Sequence, residues 1–320
     1  MRPCKTLLLL AVVALVSSVV IADETDESKA IEKIELLGGK VKRADNLPGR
    51  PVIGVRFNSN GRLNDKYLHL LRSFTSLTTL DLTGIVITDD GLKEIGGFTN
   101  LEELSLRGTG ITGVGLKELS ELTHLTVLTI GDGTTDAGLK EVSKLTHLTT
   151  LNLFNSRITD DGLKEISSLT FLNTLHLRSS LVSDAGMREI SRLRFLTKLN
   201  LSHVLITDEG LNEILKLRHL THLDISNTRI TDVGLKEVSK SESLIDLNII
   251  DIKISDNGLK DLSNIKSLMT LHIRQPKFVD DFTERGMNEL KRTLPDLVYV
   301  SPARGLVLNA QTGKLETIQF

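Results

Sequence analysis

The sequence predicts an α/β solenoid (a horseshoe) of about 10–11 repeats, with a parallel β-sheet on the concave face and short helices on the convex face. The first observation is that the segment Leu77-Thr-Thr-Leu-Asp-Leu82 returns, slightly altered, about every 24 residues. The copies begin at Leu77, Leu101, Leu125, Leu148, Leu172, Leu196, Leu220, Leu244 and Leu268. The second is that each copy is followed by a variant of Ile-Thr-Asp-x-Gly-Leu-Lys-Glu-Ile. A constant period of this length indicates stacked supersecondary units that share one core, and not a globule with a catalytic cleft.

The second copy shows how one unit is expected to fold. Leu104 and Leu106 alternate with polar residues, which is the period of a strand with one buried face. Thr112 follows the turn and occupies the position of a helix N-cap, where a side-chain oxygen is needed. Leu116 and Leu119 lie three residues apart and so face inward from a short helix. Each unit therefore contributes one strand and one short helix to a core that it cannot bury alone.

Residues 1–22 are interpreted as an export signal. Arg2 and Lys5 precede an uncharged apolar run from Thr6 to Ile21, and small or medium residues lead up to Ala22. The alternative is an uncleaved membrane anchor, because the run approaches the lower limit of about 17 residues for a spanning helix. We expect an exported protein of the periplasm, the cell envelope or the exterior, with membrane attachment only if the segment is not cleaved.

Cys4, the single cysteine of the chain, lies within this predicted signal. Its removal would leave a mature protein without a disulfide, a thiolate metal site or a cysteine nucleophile. A solenoid tolerates this, because it gains stability from neighbouring repeats and not from cross-links.

The segments on either side of the regular repeats are interpreted as caps. Residues 23–51 comprise an acidic leader and an N-terminal capping helix, which ends at the glycine pair Gly38-Gly39. The repeats span residues 52–300 and begin with a degenerate copy at Val52. Residues 301–320 form a C-terminal cap or tail, in which the stretch from Leu306 to Phe320 could fold as a hairpin over the sheet edge.

Two units depart from the period. The unit from Leu125, residues 125–147, is one residue short and has no isoleucine at the turn between Gly131 and Asp136. The unit from Leu268 carries about four extra residues in the stretch 275–286. Both departures are consistent with tolerated surface variation, or with backbone that is redirected toward a ligand, and the sequence leaves this open.

The motif Leu-x-x-Leu-x-Leu, followed by Ile-Thr-Asp-x-Gly-Leu, resembles the leucine-rich repeat family. It is most similar to the 24-residue subclass of ribonuclease-inhibitor-like and F-box-associated repeats, which also occurs in secreted bacterial proteins. The resemblance covers about residues 52–300 in nine near-regular copies. The chain departs from the family at the slot after the strand, where Asn or Cys is usual, so a continuous side-chain ladder is not expected there. The slot holds Ile85, Thr109, Ser156, Ser180, Val204, Thr228 and Ile252.

Composition and motifs give no sign of nucleic-acid binding or catalysis. The net charge is −2 and aromatic residues make up 3% of the chain, with no tryptophan, so there is no basic field for nucleic acid. Asp132 and Asp136 lack the ligand pattern of a calcium loop. His203 and His222 fall in adjacent units without a carboxylate or thiolate at the same level, so no metal site is predicted. We predict no catalytic residue and no cofactor, and we interpret the recurring Lys-Glu pairs as solvated convex columns in which Lys of one unit meets Glu of the next.

The concave face is the surface left free to recognise a partner. Strands about 4.8 Å apart make eleven strands span roughly 50 Å, which accommodates an interface of about 800 Å². Arginine and aromatic residues dominate binding hot spots. The predicted binding residues on this face are Arg107, Phe154, His176, Arg178, Asp224 and Arg274.

The leading hypothesis is a non-enzymatic, exported scaffold that binds a protein partner on its concave face and is itself a monomer. One alternative is a substrate receptor related to F-box proteins, although residues 23–51 are too short for an F-box. A second is a glycan-binding envelope protein. A third is an enzyme that uses concave acidic residues such as Asp81 or Asp224, for which no motif is present. The identity of the partner does not follow from the sequence.

Overall fold

The computed structural model describes residues 26–274, 282–301, 306–309 and 314–317. The predicted export signal at residues 1–22 lies outside the described residues, as do residues 275–281 of the stretch interpreted as an enlarged loop. In the ranges that are described, no helix is long and apolar enough to cross a membrane.

The described strands form one open sheet in which each strand pairs with its neighbours in sequence. From β2 to β12 all pairings are parallel, so the described residues contain eleven parallel strands, one per repeat. The outer strands β1, β13 and β14 pair antiparallel at the two ends of this run. The predicted fold class is confirmed. The strands are β1 Gly39–Arg43, β2 Val52–Phe57, β3 Thr79–Asp81, β4 Glu103–Ser105, β5 Val127–Thr129, β6 Thr150–Asn152, β7 Thr174–His176, β8 Lys198–Asn200, β9 His222–Asp224, β10 Asp246–Asn248, β11 Thr270–His272, β12 Val298–Ser301, β13 Leu306–Asn309 and β14 Lys314–Thr317.

Short helices alternate with the strands. The α-helices are α1 Asp26–Leu36, α2 Asp89–Ile95, α3 Asp136–Val142, α4 Asp160–Ile166, α5 Asp184–Ile190, α6 Asp208–Ile214, α7 Asp232–Val238, α8 Asp256–Leu262 and α9 Glu284–Thr293. Two repeats carry a 3₁₀ helix instead, over Asp65–Ser73 and Gly113–Leu119. At seven residues, most of these helices are too short to be stable alone, so they depend on packing against their neighbours.

The N-terminal end differs from the expectation in two ways. Helix α1 begins at Asp26, inside the segment interpreted as an acidic leader, and Arg43 fixes it through an ion pair with Glu27 at 3.3 Å. Its residues Ala30 and Ile34 are buried in the common core. The strand β1 was not predicted, because its residues are mostly charged and lack an apolar alternation.

The core is one continuous cluster of the repeated leucines and isoleucines. In the first regular unit, Leu80, Leu82, Ile87, Leu92 and Ile95 each expose none of their surface. Burial of such a side chain stabilises the fold by about 1.5–3 kcal/mol. Because these residues contact the equivalent residues of adjacent units, the repeats stabilise one another.

A row of aspartates links each repeat to the next. Asp184 begins α5, and its carboxylate accepts hydrogen bonds from the next unit's Thr207, through the backbone N–H at 2.8 Å and the hydroxyl at 2.7 Å. The Thr207 hydroxyl also accepts from the N–H of Glu209 and so caps its own helix. The same link joins Asp65 to Thr88, Asp89 to Thr112, Asp136 to Thr159, Asp160 to Ser183, Asp208 to Thr231, Asp232 to Ser255 and Asp256 to Thr283. The Thr-Asp pair that the sequence indicated as a helix start therefore also links the repeats: its Thr donates to the unit before and its Asp accepts from the unit after.

The row is interrupted at one position. Gly113 replaces the aspartate, so Thr135 of the next unit has no such acceptor, and a Cβ atom at Gly138 would lie only 2.7 Å from the Cα of Gly113. The helix that contains Gly113 is the 3₁₀ helix. Thr112 makes no capping hydrogen bond there, contrary to the prediction, although its hydroxyl donates to Asp89 as in the other units.

The charged columns of the convex face also differ from the prediction. On the convex face, lysine or arginine pairs with an acidic residue three positions earlier in the same unit. Among the described residues of this face, one ion pair joins two units, Arg72 with Glu94. The pairs within a unit are Asp90–Lys93, Glu141–Lys144, Asp161–Lys164, Glu189–Arg192, Glu213–Lys216 and Glu237–Lys240. Lys93 and Lys164 also lie within electrostatic range of Glu118 and Glu189 in the next units, without forming ion pairs with them.

The slot after the strand holds no continuous ladder among the described residues. Thr228 donates its hydroxyl to the Ile225 carbonyl at 2.6 Å, whereas the buried Ser180 hydroxyl has no partner. We expect Ser180→Ala to raise the free energy of unfolding by up to about 1 kcal/mol, since an unpaired buried hydroxyl is costly. The isosteric Thr228→Val, which removes a paired hydroxyl, is expected to lower it by about 1 kcal/mol. Urea denaturation of both variants checks this; a loss of stability in Ser180→Ala contradicts it.

Candidate functional site

The strand ends at the concave face have a common local structure. The last strand residue is often Asp or Asn, whose side chain accepts the backbone N–H two residues later, as Asn152 does from Phe154 at 3.1 Å. The residue after that turns the chain with a positive φ, as Asn155 does. His203 also occupies this turn position, with a φ of 59°. The side chain just before the turn, such as Phe154, is the one directed over the sheet.

Three of the predicted residues come together at this position. The guanidinium carbon of Arg107 lies 4.4 Å from the centroid of the Phe154 ring, and that of Arg178 lies 5.3 Å from the same centroid. Phe154 follows β6, whereas Arg107 follows β4 and Arg178 follows β7, so the arginines approach from opposite sides along the sheet. Both arginines are exposed and the ring is half-buried. We call Arg107, Phe154 and Arg178 the Arg–Phe–Arg cluster.

A missing side chain allows the cluster to form. Gly131, in the short unit, occupies the equivalent position after β5, between Arg107 and Phe154 in sheet order. It is buried, and a Cβ atom there would overlap the carbonyl oxygen of Phe154. The short unit therefore brings the ends of β5 and β6 close together and leaves the space through which Arg107 reaches a ring two strands away.

His176 lies beside the cluster as the last residue of β7 and is half-buried. Burial lowers the pKa of His176 below its usual value; the nearby Asp224 raises it and Lys198 lowers it further, but burial is the largest cause. The imidazole is consequently uncharged at neutral pH and adds no positive charge to the cluster.

The structure does not bring the other two predicted residues to the cluster. Asp224 accepts hydrogen bonds from the N–H and the hydroxyl of Ser226 and from the side-chain amide of Asn200 at 3.0 Å. Arg274 forms an ion pair with Asp251 at 3.2 Å near the far end of the sheet. Both side chains already have partners within the protein.

An exposed row lies at the opposite edge of the sheet, in the turn before each strand, and its phenylalanines were not among the predicted binding residues. Phe171 and Phe195 each expose 63% of their surface there, beside three exposed histidines of neighbouring units. The histidines are His124, His147 and His219.

The described ranges contain one notable cleft away from the concave sheet. A cleft of about 450 Å³ opens on the helix side of the first repeats, where its Arg72 is held by Glu94. No group of three or more His, Cys, Asp or Glu side chains in the described part of the chain is placed to hold a metal ion. The arrangement is suited to surface recognition, since the charged and aromatic groups are spread over an open sheet.

The fold and this surface define a repeat solenoid with an open parallel sheet. A family described as Leucine Rich repeat matches the chain at residues 75–96, 99–120, 144–167, 192–215 and 216–239. The matched repeats are therefore leucine-rich repeats, as the sequence motif predicted.

Solved structures support the same fold. An internalin (InlF) from Listeria monocytogenes has a TM-score of 0.58 and 20% identity, over 86% of this chain and 87% of its own. Internalin C2 from the same organism has a TM-score of 0.49 and 24% identity, over 68% of this chain and 86% of its own. At these identities the first likeness supports the solenoid alone. No curated protein sequence matches the chain significantly.

Proposed function

We propose that the protein is a non-enzymatic, exported scaffold that binds a protein partner on its concave face. The observation that carries the proposal is the Arg–Phe–Arg cluster: a half-buried apolar ring and two arginines that the fold does not use, on an otherwise polar sheet. Arginine and aromatic side chains are the residue types enriched where protein interfaces derive their binding energy. Within this proposal the chain is a monomer, and its repeats belong to the 24-residue ribonuclease-inhibitor-like subclass.

The dimensions of the sheet favour a macromolecular partner. Eleven parallel strands about 4.8 Å apart give roughly 50 Å of open surface, which exceeds what a small molecule needs. The concave positions after the strands differ from unit to unit, from Thr83 and Arg107 to Ser202 and Ile250, while the leucines beneath them repeat. A varied surface on a constant core is what recognition of a particular partner requires.

The test is a cross-linking pull-down from the native cell envelope. We expect Phe154→Ala/Arg178→Ala to reduce recovery of the partner at least tenfold, because hot-spot truncations cost about 2 kcal/mol or more. The matched control is Phe195→Ala/Arg218→Ala, which removes an exposed Phe and an exposed Arg from the opposite edge of the sheet. Equal recovery with both double variants contradicts a concave site. The N-terminal residue of the recovered protein tests export, since cleavage after Ala22 leaves Asp23.

A further inference from the structure

The Arg–Phe–Arg cluster differs from the other arginines of the concave sheet in its free hydrogen-bond donors. Arg56 pairs with Asp81 at 3.1 Å and Arg274 pairs with Asp251. In the ranges that the structure describes, the guanidinium groups of Arg107 and Arg178 contact the Phe154 ring and have no carboxylate partner. Their guanidinium donors are available to a ligand.

Stacking on the ring holds these donors in a useful orientation. A guanidinium contacts an aromatic ring through its flat face, whereas its five N–H donors lie in the plane and form the fork that binds carboxylates. Ring contact therefore reduces the freedom of the side chain without using its donors. Because both guanidinium carbons lie over one ring, no more than about 10 Å separates them.

The strand surface around the cluster carries few acids, although Glu103 lies on β4, the strand that Arg107 follows. The solvent-facing strand positions from β5 to β8 carry no carboxylate, and Lys198 adds a further positive charge; these positions are Val127, Thr129, Thr150, Asn152, Thr174, His176, Lys198 and Asn200. The acidic strand residues lie to either side, at Glu103 on β4 and Asp224 on β9.

The nearest acidic turn residue is also occupied. Asp132 accepts from the N–H of Gly108 and the side-chain amide of Asn155, each at 2.9 Å. Both donors are neutral, so Asp132 keeps its negative charge, but the two arginines and Lys198 outnumber it, and opposite charges attract an acidic segment.

Resting on the proposed function, we propose that the Arg–Phe–Arg cluster binds an extended acidic segment of the protein partner, with carboxylates at positions i and i+2. Side chains two residues apart on an extended chain share one face and lie about 7 Å apart, which fits two guanidinium groups less than about 10 Å from each other. A nucleic acid is disfavoured, because the net charge of the chain is −2 and the positive region is confined to a few residues.

The test is a titration of the full chain with a fluorescent peptide of alternating Glu and Thr, compared with the same peptide of alternating Gln and Thr. We expect the Glu peptide to bind at least tenfold more tightly, with an affinity that falls as salt rises. Arg107→Gln and Arg178→Gln should each weaken the Glu peptide about tenfold, and the lysine variants should recover only part of the loss, since lysine lacks the fork. The matched control Arg218→Gln, at the sheet edge, should leave binding unchanged.

The proposal is overturned if the Glu and Gln peptides show no difference in affinity at concentrations up to about 1 mM. It is also overturned if Arg218→Gln weakens binding of the Glu peptide as much as Arg107→Gln or Arg178→Gln does. Because the substituted arginines are exposed, unfolding midpoints near that of the wild type are expected and serve to exclude misfolding. The proposed function is judged separately, by the pull-down. If Phe154→Ala/Arg178→Ala fails to capture the partner but the Glu peptide does not displace the partner from the wild type, the concave site is retained. Only the acidic segment is then rejected.

Discussion

Gly210→Ala is expected to lower the free energy of unfolding by about 2–3 kcal/mol, the usual cost of an overpacked core. Helix propensity alone predicts the opposite sign, because Gly to Ala inside a helix gains about 1 kcal/mol. Gly210 is the third residue of α6, and a Cβ atom there would overlap Oδ1 of Asp184 and lie 3.0 Å from the Cγ of Met187. The steric term outweighs propensity because the overlapping carboxylate is held in place by two hydrogen bonds from Thr207. Urea denaturation measures the change.

A double-mutant cycle separates this cause from a general intolerance of alanine. Asp184→Ala alone should cost about 2 kcal/mol, since it removes two charge-assisted hydrogen bonds. In that background Gly210→Ala should cost at least about 1 kcal/mol less than in the wild type, because the overlapping oxygen is gone. An equal penalty in both backgrounds excludes the Asp184 carboxylate as the reason for glycine.

The Asp–Thr links show how far the sequence predicts the fold. The 24-residue period places the strand leucines and the short helices of the regular repeats, since burial and periodicity act within one unit. The motif Thr-Asp-x-Gly was interpreted as a helix start, and Thr207 does cap α6. The bond from Asp184 to Thr207 joins residues 23 positions apart and depends on how units stack, which a pattern within one unit does not reveal. One clue was present, because Gly113 replaces the aspartate in the unit whose helix is 3₁₀.

The same reasoning explains which surface residues could be anticipated. Arg107, Phe154 and Arg178 were selected by residue type and column, and the structure places them together. Asp224 and Arg274 met the same criteria, yet neighbouring side chains already bind them. The position of a residue within the repeat predicts that its side chain faces the concave side of the sheet. Whether its donors or acceptors remain free depends on residues in other units, and therefore on how the units stack.

Gly131→Ala is expected to lower the free energy of unfolding by about 2–3 kcal/mol and to weaken partner binding in the variant that remains folded. The added Cβ atom would overlap the carbonyl oxygen of Phe154, which is main chain and cannot rotate away. The ends of β5 and β6 must then separate, which moves the Phe154 ring away from Arg107. Gly131 does not adopt a positive φ, so this effect is steric and not a matter of backbone conformation.

Two comparisons make this prediction specific to the short unit. The equivalent positions after other strands hold Ser202 and Arg178, so the solenoid does not require glycine there in general. The matched control is Gly97→Ala: Gly97 is exposed, and its added Cβ would contact only the Glu94 carbonyl, at 3.3 Å, so stability should change by less than about 0.5 kcal/mol. Wild-type stability and binding in Gly131→Ala would mean that the short unit is tolerated variation. Loss of both relative to Gly97→Ala would mean that the missing residue shapes the recognition surface, because the deletion that shortens the unit is what allows Arg107 to reach Phe154.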